Sequence, residues 1–240
     1  MGSTYHFAKV WRNYEVNANV CITKIFIYIT RIIYTAYWSS YIFRLTATIY
    51  LAVVLTARIF LKFYILSCIS QIFGYIIMMG FVVLPLFLSC EELLHIAAAK
   101  GKGLQKTIKY LSVGYLISRE NKIIVPLSIG VKFQHIPCLA DALHITLSPV
   151  LLITILSGMF SLVSYFLIQN ISSHSLQELI SHLLRFLLAY WLFSVIPITL
   201  IHKNDSAMAF VIMRKLGLSF FKLLREISMS MFYAVKGLFL

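Results

Sequence analysis

The feature that most constrains the fold of this chain is a long uncharged apolar run at residues 63–90, which ends abruptly in ionisable side chains. As a helix, at about 1.5 Å per residue, this run is longer than a hydrocarbon core of about 30 Å requires. Gly80 and Pro85 are where we expect the helix to tilt or break, because proline removes a backbone hydrogen bond and clashes with the preceding turn. A new helix is therefore predicted to begin near Phe81.

Two adjacent carboxylates and a histidine follow this run directly, as Glu91, Glu92 and His95 in the segment EELLHIAAAK that ends at Lys100. Carboxylates are costly inside a bilayer unless a proton, a partner or a metal compensates them, so such a cluster predicts a functional site. On a helix, Glu91 and His95 are four positions apart and share one face, with Glu92 about 100° around the axis. This geometry is typical of a pair of metal ligands beside a general base.

Composition predicts an integral membrane protein. The chain has 240 residues, of which 60% are hydrophobic and 12% are charged, and its mean hydropathy is +0.89; a soluble domain carries about 25% charged residues. The net charge of +13 is expected to mark cytoplasmic loops that face anionic lipid. Nucleic acid is not expected as a partner, because its binding needs a basic soluble face. The four cysteines are widely spaced, which favours neither a disulfide framework nor a CxxC site.

These features predict an all-α polytopic membrane protein with about four to six transmembrane helices and a small membrane-associated β-hairpin. Residues 1–20 are expected to be a cytoplasmic tail, and residues 21–62 to hold interfacial or transmembrane segments. Residues 63–216 are predicted to form the membrane core, and residues 217–240 an amphipathic tail on the cytoplasmic surface. The expected location is a bacterial plasma membrane.

Residues 110–133 differ from the rest of the predicted core, because two β-branched and aromatic runs flank a polar turn. This pattern predicts the β-hairpin, with Pro126 on an edge strand, since proline cannot donate to a sheet ladder. Apolar runs at residues 142–168 and 179–201 predict two further spans, joined by an outer loop that has no Lys or Arg. Basic residues just before the hairpin predict that the motif faces the cytoplasm: Lys100, Lys102, Lys106 and Lys109.

The order of these segments resembles that of the site-2-protease-like intramembrane zinc metalloproteases. In that family an HExxH helix with small residues precedes a membrane-associated hairpin, a span that opens with a small-Gly-Pro segment, and a last span whose Asn and Pro precede an Asp-Gly pair. The resemblance covers about residues 80–216, and its parts are residues 91–100, the 110–133 hairpin, Leu147-Ser148-Pro149, Ser194 to Pro197, and Asn204-Asp205-Ser206. Family positions that differ are Glu91 for histidine, Ser194 for asparagine, and Ser148 and Ser206 for glycine.

The resemblance implies a metal-dependent membrane endopeptidase whose ion is held by Glu91, His95 and Asp205. A catalytic zinc site needs three protein ligands and an open position for water, and a mixed set of imidazole and carboxylates is acceptable. Zn²⁺ is the expected ion and Mn²⁺ a competitor, because two anionic ligands leave the centre less electrophilic. Glu92 is the expected general base, which takes a proton from the attacking water and passes it to the leaving amine.

Other interpretations of the same side chains stay open at this point. Glu91 and Glu92 are also typical of solvated charges at the membrane interface, and Asp205 of an N-cap for the following helix. His202 is an alternative ligand. Asp141 is a weaker carboxylate candidate, because its position also suits the capping of the next helix.

The expected partners are membrane lipid, a membrane-bound or secreted peptide substrate, and other membrane subunits. The alternative function is a catalytically inactive protease-like membrane protein that binds peptides or serves in a peptide export or maturation complex. A membrane protease related to the CAAX-processing enzymes is disfavoured, because Ile96 stands where that family has an arginine.

Overall fold

The structure is a computed structural model that describes residues 9–39, 44–45, 48–49, 52, 83–117, 124–136, 138–195 and 205–240. Its elements in chain order are β1 (Lys9–Glu15), α1 (Ile22–Ser39), α2 (Leu84–Gly101), a short 3-10 turn (Gln105–Thr107), β2 (Ile108–Ile117), β3 (Ile124–Phe133), α3 (Leu139–Asn170), α4 (His174–Val195), α5 (Asp205–Leu216) and α6 (Phe220–Leu238). Most described residues are helical, so the predicted helical class is confirmed, with a small sheet in addition.

Helix α2 is the motif helix, and it begins at Leu84 with Pro85 in its first turn. Proline is well accommodated there, because the first N–H groups of a helix have no partner within the helix. The predicted start near Phe81 and the upstream apolar run at 63–82 lie outside the described residues. The helix ends at Gly101, directly after the alanines and lysine of the motif segment.

The small residues of α2 allow a close contact with α6. A Cβ atom added to Gly101 would lie 2.0 Å from the carbonyl oxygen of Tyr233, and one added to Gly237 would lie 1.7 Å from the carbonyl oxygen of Ala97. Ala97, like the two alanines after it, is fully buried. The two backbones therefore touch, which is the packing that small residues permit between helices. The C-terminal segment thus lies against the motif helix as part of the protein core.

The sheet is antiparallel, with strand order β1-β2-β3. Strands β2 and β3 form the hairpin that was predicted for residues 110–133, and its first strand begins two residues earlier than expected, at Ile108. Strand β1 was not predicted; it comes from the N-terminal segment and pairs with β2. Strand β3, which contains Pro126, is left at an edge of the sheet, as the proline suggested.

Helix α3 is the one helix in the described part of the chain that is long and apolar enough to cross a membrane. Only 17% of its most apolar stretch of 18 residues is buried in the protein, whereas the core helix of a soluble protein is largely buried. Large side chains such as Leu156, Met159 and Leu162 are more than half exposed along it. Helix α4 covers much of the predicted span at 179–201, but it is not long and apolar enough to meet the criterion for a membrane-crossing helix that α3 meets. The predicted number of four to six spans therefore stays a proposal.

A polar network joins the ends of α2, α3 and α6. The ammonium group of Lys102 lies 2.5 Å from an Asp141 oxygen and 2.6 Å from Nδ1 of His144. Because an ammonium can only donate, Nδ1 accepts, and Nε2–H of His144 donates to Glu226 at 2.7 Å. Burial alone would raise the pKa of the Glu226 carboxyl, but hydrogen bonds from Arg225 and His144 hold that pKa below its ordinary value. Asp141, in the first turn of α3, thus pairs with Lys102, and Cys138 occupies the N-cap position of that helix.

Candidate active site

Four ionisable side chains line one cavity of about 380 Å³, which we call the site cavity. Glu91, Glu92 and His95 come from α2, and Asp205 is the first residue of α5. The remaining walls are the edge strand β3 and the early part of α3. The residues predicted as ligands and as general base therefore lie together, although Asp205 is more than one hundred positions away along the chain.

His95 bridges two elements through its two ring nitrogens. Nδ1 lies 2.9 Å from the carbonyl oxygen of Ile145 on α3, and Nε2 lies 2.9 Å from a carboxylate oxygen of Asp205. A carbonyl can only accept a hydrogen bond, so Nδ1 carries the ring proton. The contact between Nε2 and Asp205 then needs one more positive charge, which is either a second proton or a cation. A ring N–H held by a backbone carbonyl, with the other ring nitrogen facing a carboxylate, is also the orientation found for many histidines that bind metals.

Asp205 is held in place by the packing of its helix. Helix α5 packs against α3 through a small apolar cluster that includes Ala209, Ile212, Leu143 and Leu147. The carboxylate stands in the first turn of α5, where the helix dipole favours negative charge. Because it also contacts His95, Asp205 takes part in the site as well as occupying a helix start.

Glu92 is bound to the edge strand. Its carboxylate accepts a hydrogen bond of 2.8 Å from the backbone N–H of Val131, and the side chain is only 6% exposed. Since this N–H donates to α2, it points away from β2, toward the open side of β3. The predicted general base therefore lies at the open edge of β3, next to the positions with which a further strand would pair.

Glu91 accepts a hydrogen bond from the hydroxyl of Tyr190 on α4. The Tyr190 ring lies 5.1 Å, centroid to centroid, from Phe87, which is one helical turn before Glu91. Sequence reasoning missed Tyr190, because it stands in an apolar segment 99 positions from its partner and no local pattern distinguishes it from other aromatic residues in the chain.

Several other residues singled out in the sequence lie elsewhere. Ser148 donates to the carbonyl oxygens of His144 and Ser230, so it belongs to the contact with α6. Asp141 and His144 belong to the polar network described above. Residues outside the described part of the chain are Pro197, His202 and Asn204.

The residues present fit a bound metal ion in part. Two ligands of a tetrahedral zinc ion lie about 3.3 Å apart, given bonds of about 2.0–2.1 Å, so the 2.9 Å between His95 Nε2 and Asp205 is that of a directly hydrogen-bonded pair, which would have to open to admit an ion. An ion there would supply the positive charge that this contact needs. However, no three His, Cys, Asp or Glu side chains among the described residues are arranged to hold a metal as they stand. Glu91 would have to turn toward the ion to complete the set.

No protein-family model, curated protein or solved structure matches the chain. The chemistry of the site cavity is therefore the basis for a functional interpretation. Three carboxyl groups surround one imidazole, and the described lining includes no lysine or arginine. An excess of negative charge in a partly apolar cavity favours the uptake of protons or of a cation.

Proposed function

We propose that this protein is a metal-dependent membrane endopeptidase, similar to the site-2-protease-like enzymes, that cleaves a membrane-associated peptide. The observation that carries this proposal is the grouping of three features in one cavity: the His95–Asp205 pair, the Glu92 carboxylate, and the edge strand β3. A hydrolase of this class needs an ion site, a base beside it and a surface that presents an extended substrate.

Each site residue has a distinct role in the proposed reaction. His95 Nε2, Asp205 and Glu91 would hold the ion, Zn²⁺ first and Mn²⁺ second. When bound, the ion would lower the pKa of water and polarise the substrate carbonyl. Glu92 would accept a proton from the attacking water and return it to the leaving amine. The Val131 hydrogen bond keeps one Glu92 oxygen fixed during this transfer.

The edge of β3 offers a way to present the substrate. The N–H of Val131 points outward to Glu92, and the alternation of backbone hydrogen bonds along an antiparallel ladder gives the N–H of Ile129, two positions away, the same direction. An added peptide strand would pair with the backbone of Ile129 and stay extended, which exposes a scissile amide that a helix would bury. Ile129, Val131 and Phe133 all line the site cavity, so the added strand would run beside Glu92.

The membrane setting is part of the proposal. The exposed apolar surface of α3 suits contact with lipid chains. We propose that α3 spans the membrane together with the apolar segments at 63–90 and 179–201, which makes the protein polytopic. The site cavity would then open toward the cytoplasmic side of the plasma membrane, the side of the exposed Lys106 and Lys109.

Metal content tests the proposal without knowledge of the natural substrate. The purified full chain is expected to hold close to one zinc or manganese ion by elemental analysis, and His95→Ala and Asp205→Ala to lose it. Glu92→Gln is expected to keep the ion and to lose hydrolysis of a peptide library in liposomes by about 10²–10⁴-fold. The matched control is Glu178→Gln, an exposed carboxylate on α4. Equal metal in the wild type and in His95→Ala, or none in the wild type, would refute the site.

A second candidate is an inactive protease-like protein that binds peptides. The observation that favours it is that Tyr190 and Val131 already satisfy the Glu91 and Glu92 carboxylates by hydrogen bonds. Such a protein would bind extended peptides along β3, hold no metal, and hydrolyse no peptide either as the wild type or as Glu92→Gln. Metal content therefore separates the two functions.

A further inference from the structure

We propose that helix α6 binds the surface of an anionic membrane leaflet with the face that it does not use for packing. The sequence predicts an amphipathic segment at residues 217–240, and the structure packs one side of this segment against α2 and α3. The inference concerns the other side. It rests on the membrane setting proposed above and is independent of hydrolysis in the site cavity.

The inner face of α6 is occupied by the protein itself. Its buried residues recur every three or four positions and so form one stripe along the helix: Glu226, Ser230, Ala234 and Gly237. Gly237 touches the backbone of α2, and the carbonyl oxygen of Ser230 accepts a hydrogen bond from Ser148 of α3. Packing therefore uses this stripe and leaves the opposite side of the helix uncovered.

The opposite side carries a second stripe, which is apolar and exposed and which we call the outer stripe. It runs for about five turns, at helical spacing, through Phe221, Leu224, Phe232, Val235 and Phe239. Phe221 is 81% exposed and Phe239 is 86% exposed. The polar residue within this stripe is Ser228, whose hydroxyl donates to the carbonyl oxygen of Leu224 at 3.0 Å. A continuous apolar surface of this kind marks a site of contact with lipid or protein.

Basic residues border the outer stripe along one side. Lys222, Arg225 and Lys236 are exposed and lie within about 100° of the stripe around the helix axis. Arg214 and Lys215 are exposed in the last turn of α5, just before the turn that leads into α6. Long basic side chains of this kind reach the phosphates of a leaflet while the apolar side chains beside them enter its acyl boundary.

Charge favours an anionic leaflet over a second copy of the chain as the occupant. Residues 205–240, all of which the structure describes, contain two acids, and both are engaged inside the protein: Asp205 contacts His95, and Glu226 is buried against His144. The exposed charges around the outer stripe are therefore all positive. Two such surfaces repel each other, whereas an anionic leaflet attracts them.

The two faces together make α6 a link between the leaflet and the motif helix. Helix α6 does not meet the criterion for a membrane-crossing helix that α3 meets, so we place it along the surface. Its inner face touches the backbone of α2 at Ala97 and Gly101, within two turns of His95. Lipid bound to the outer stripe would therefore hold the motif helix at a fixed depth beside the leaflet.

Photo-crosslinking identifies the occupant of the outer stripe. The full chain, with p-benzoylphenylalanine in place of the exposed Phe232, is reconstituted into vesicles of equal parts phosphatidylcholine and phosphatidylglycerol. Mass spectrometry is expected to show lipid adducts in which phosphatidylglycerol exceeds phosphatidylcholine by about 2- to 5-fold, because each basic residue near a leaflet attracts anionic lipid.

Paired lysine variants test the role of the basic border. Lys215→Gln together with Lys222→Gln is expected to lower the preference for phosphatidylglycerol at least about 2-fold. The matched control is Lys106→Gln together with Lys109→Gln, at two exposed lysines beside the hairpin. It removes the same charge from the chain and should keep the wild-type preference.

The other outcomes overturn the inference. A crosslink between two copies of the chain, or the absence of any lipid adduct, would show that the outer stripe does not face a leaflet. Equal adducts of the two lipids, or an equal loss of preference in both lysine pairs, would show that the basic border does not select anionic lipid. Metal content tests the proposed hydrolysis separately, whereas a chain that does not enter vesicles would refute the membrane setting together with this inference.

Discussion

The contact between α2 and α6 predicts that Gly237→Ala destabilises the protein. The new Cβ would lie 1.7 Å from the carbonyl oxygen of Ala97, where ordinary contacts are 3.4–4 Å. Because a helix backbone cannot yield locally, α6 would have to move away by at least about 1.7 Å, and so large a shift is expected to cost about 2–3 kcal/mol, the upper part of the range for overpacking. The better helix propensity of alanine returns at most about 1 kcal/mol. A net loss of about 1–2 kcal/mol follows.

Thermal unfolding of the purified chain in detergent measures this loss. For a chain of this size, 1 kcal/mol corresponds to about 2–4 °C, so Gly237→Ala is expected to lower the Tm by roughly 2–8 °C. The control is Gly158→Ala on α3, where a Cβ meets nothing within 4 Å and the Tm should rise slightly. A Gly237→Ala Tm that equals or exceeds the wild-type value would show that the two backbones do not touch.

Two further predictions concern the edge strand and the polar network. Val131→Pro removes the N–H that binds Glu92, and because this group points away from β2 the sheet should persist, with unchanged circular dichroism. The variant loses a charge-assisted hydrogen bond worth about 1.5–3 kcal/mol. Hydrolysis of the peptide library should therefore fall by at least about 10-fold. If hydrolysis is unaffected, the Glu92 contact with β3 is not used. Glu226 has a lowered pKa in the folded protein, so its contribution to stability is present above its ordinary pKa and is lost as the pH falls through the lowered value. Glu226→Gln should therefore flatten the fall in Tm below about pH 4.5, whereas Glu178→Gln should leave it unchanged, and an unaltered acid limb in Glu226→Gln would contradict the network.

Local patterns were sufficient to predict the elements that carry the site. The spacing of Glu91 and His95 placed them on one helix face, and the β-branched runs at 110–133 gave the hairpin. Both depend on the period of a single element, which the sequence displays directly. Asp205 came only from the resemblance, since a lone Asp after a polar turn is equally suited to helix capping.

Partners that are distant in sequence could not be predicted. Lys100 and Lys102 were interpreted as loop charges, yet Lys100 is buried and donates to the carbonyl oxygen of Val20, and Lys102 joins α3. Tyr190 and strand β1 were missed for the same reason. Hydropathy and charge report what a residue costs to bury, but they do not report which group compensates that cost.

The charge of the site cavity bears on the choice between an enzyme and an inactive relative. The hydrogen bonds that orient Glu91 and Glu92 come from the Tyr190 hydroxyl and the Val131 backbone, and both donors are neutral. They hold the carboxylates in place without cancelling their charge, and His95 can offset only one of the three acids. Uncompensated acids near the membrane are expensive, so the three acids are expected to take up protons or a cation. The proposed hydrolysis requires the cation, whereas an inactive relative would offset the acids by protons alone.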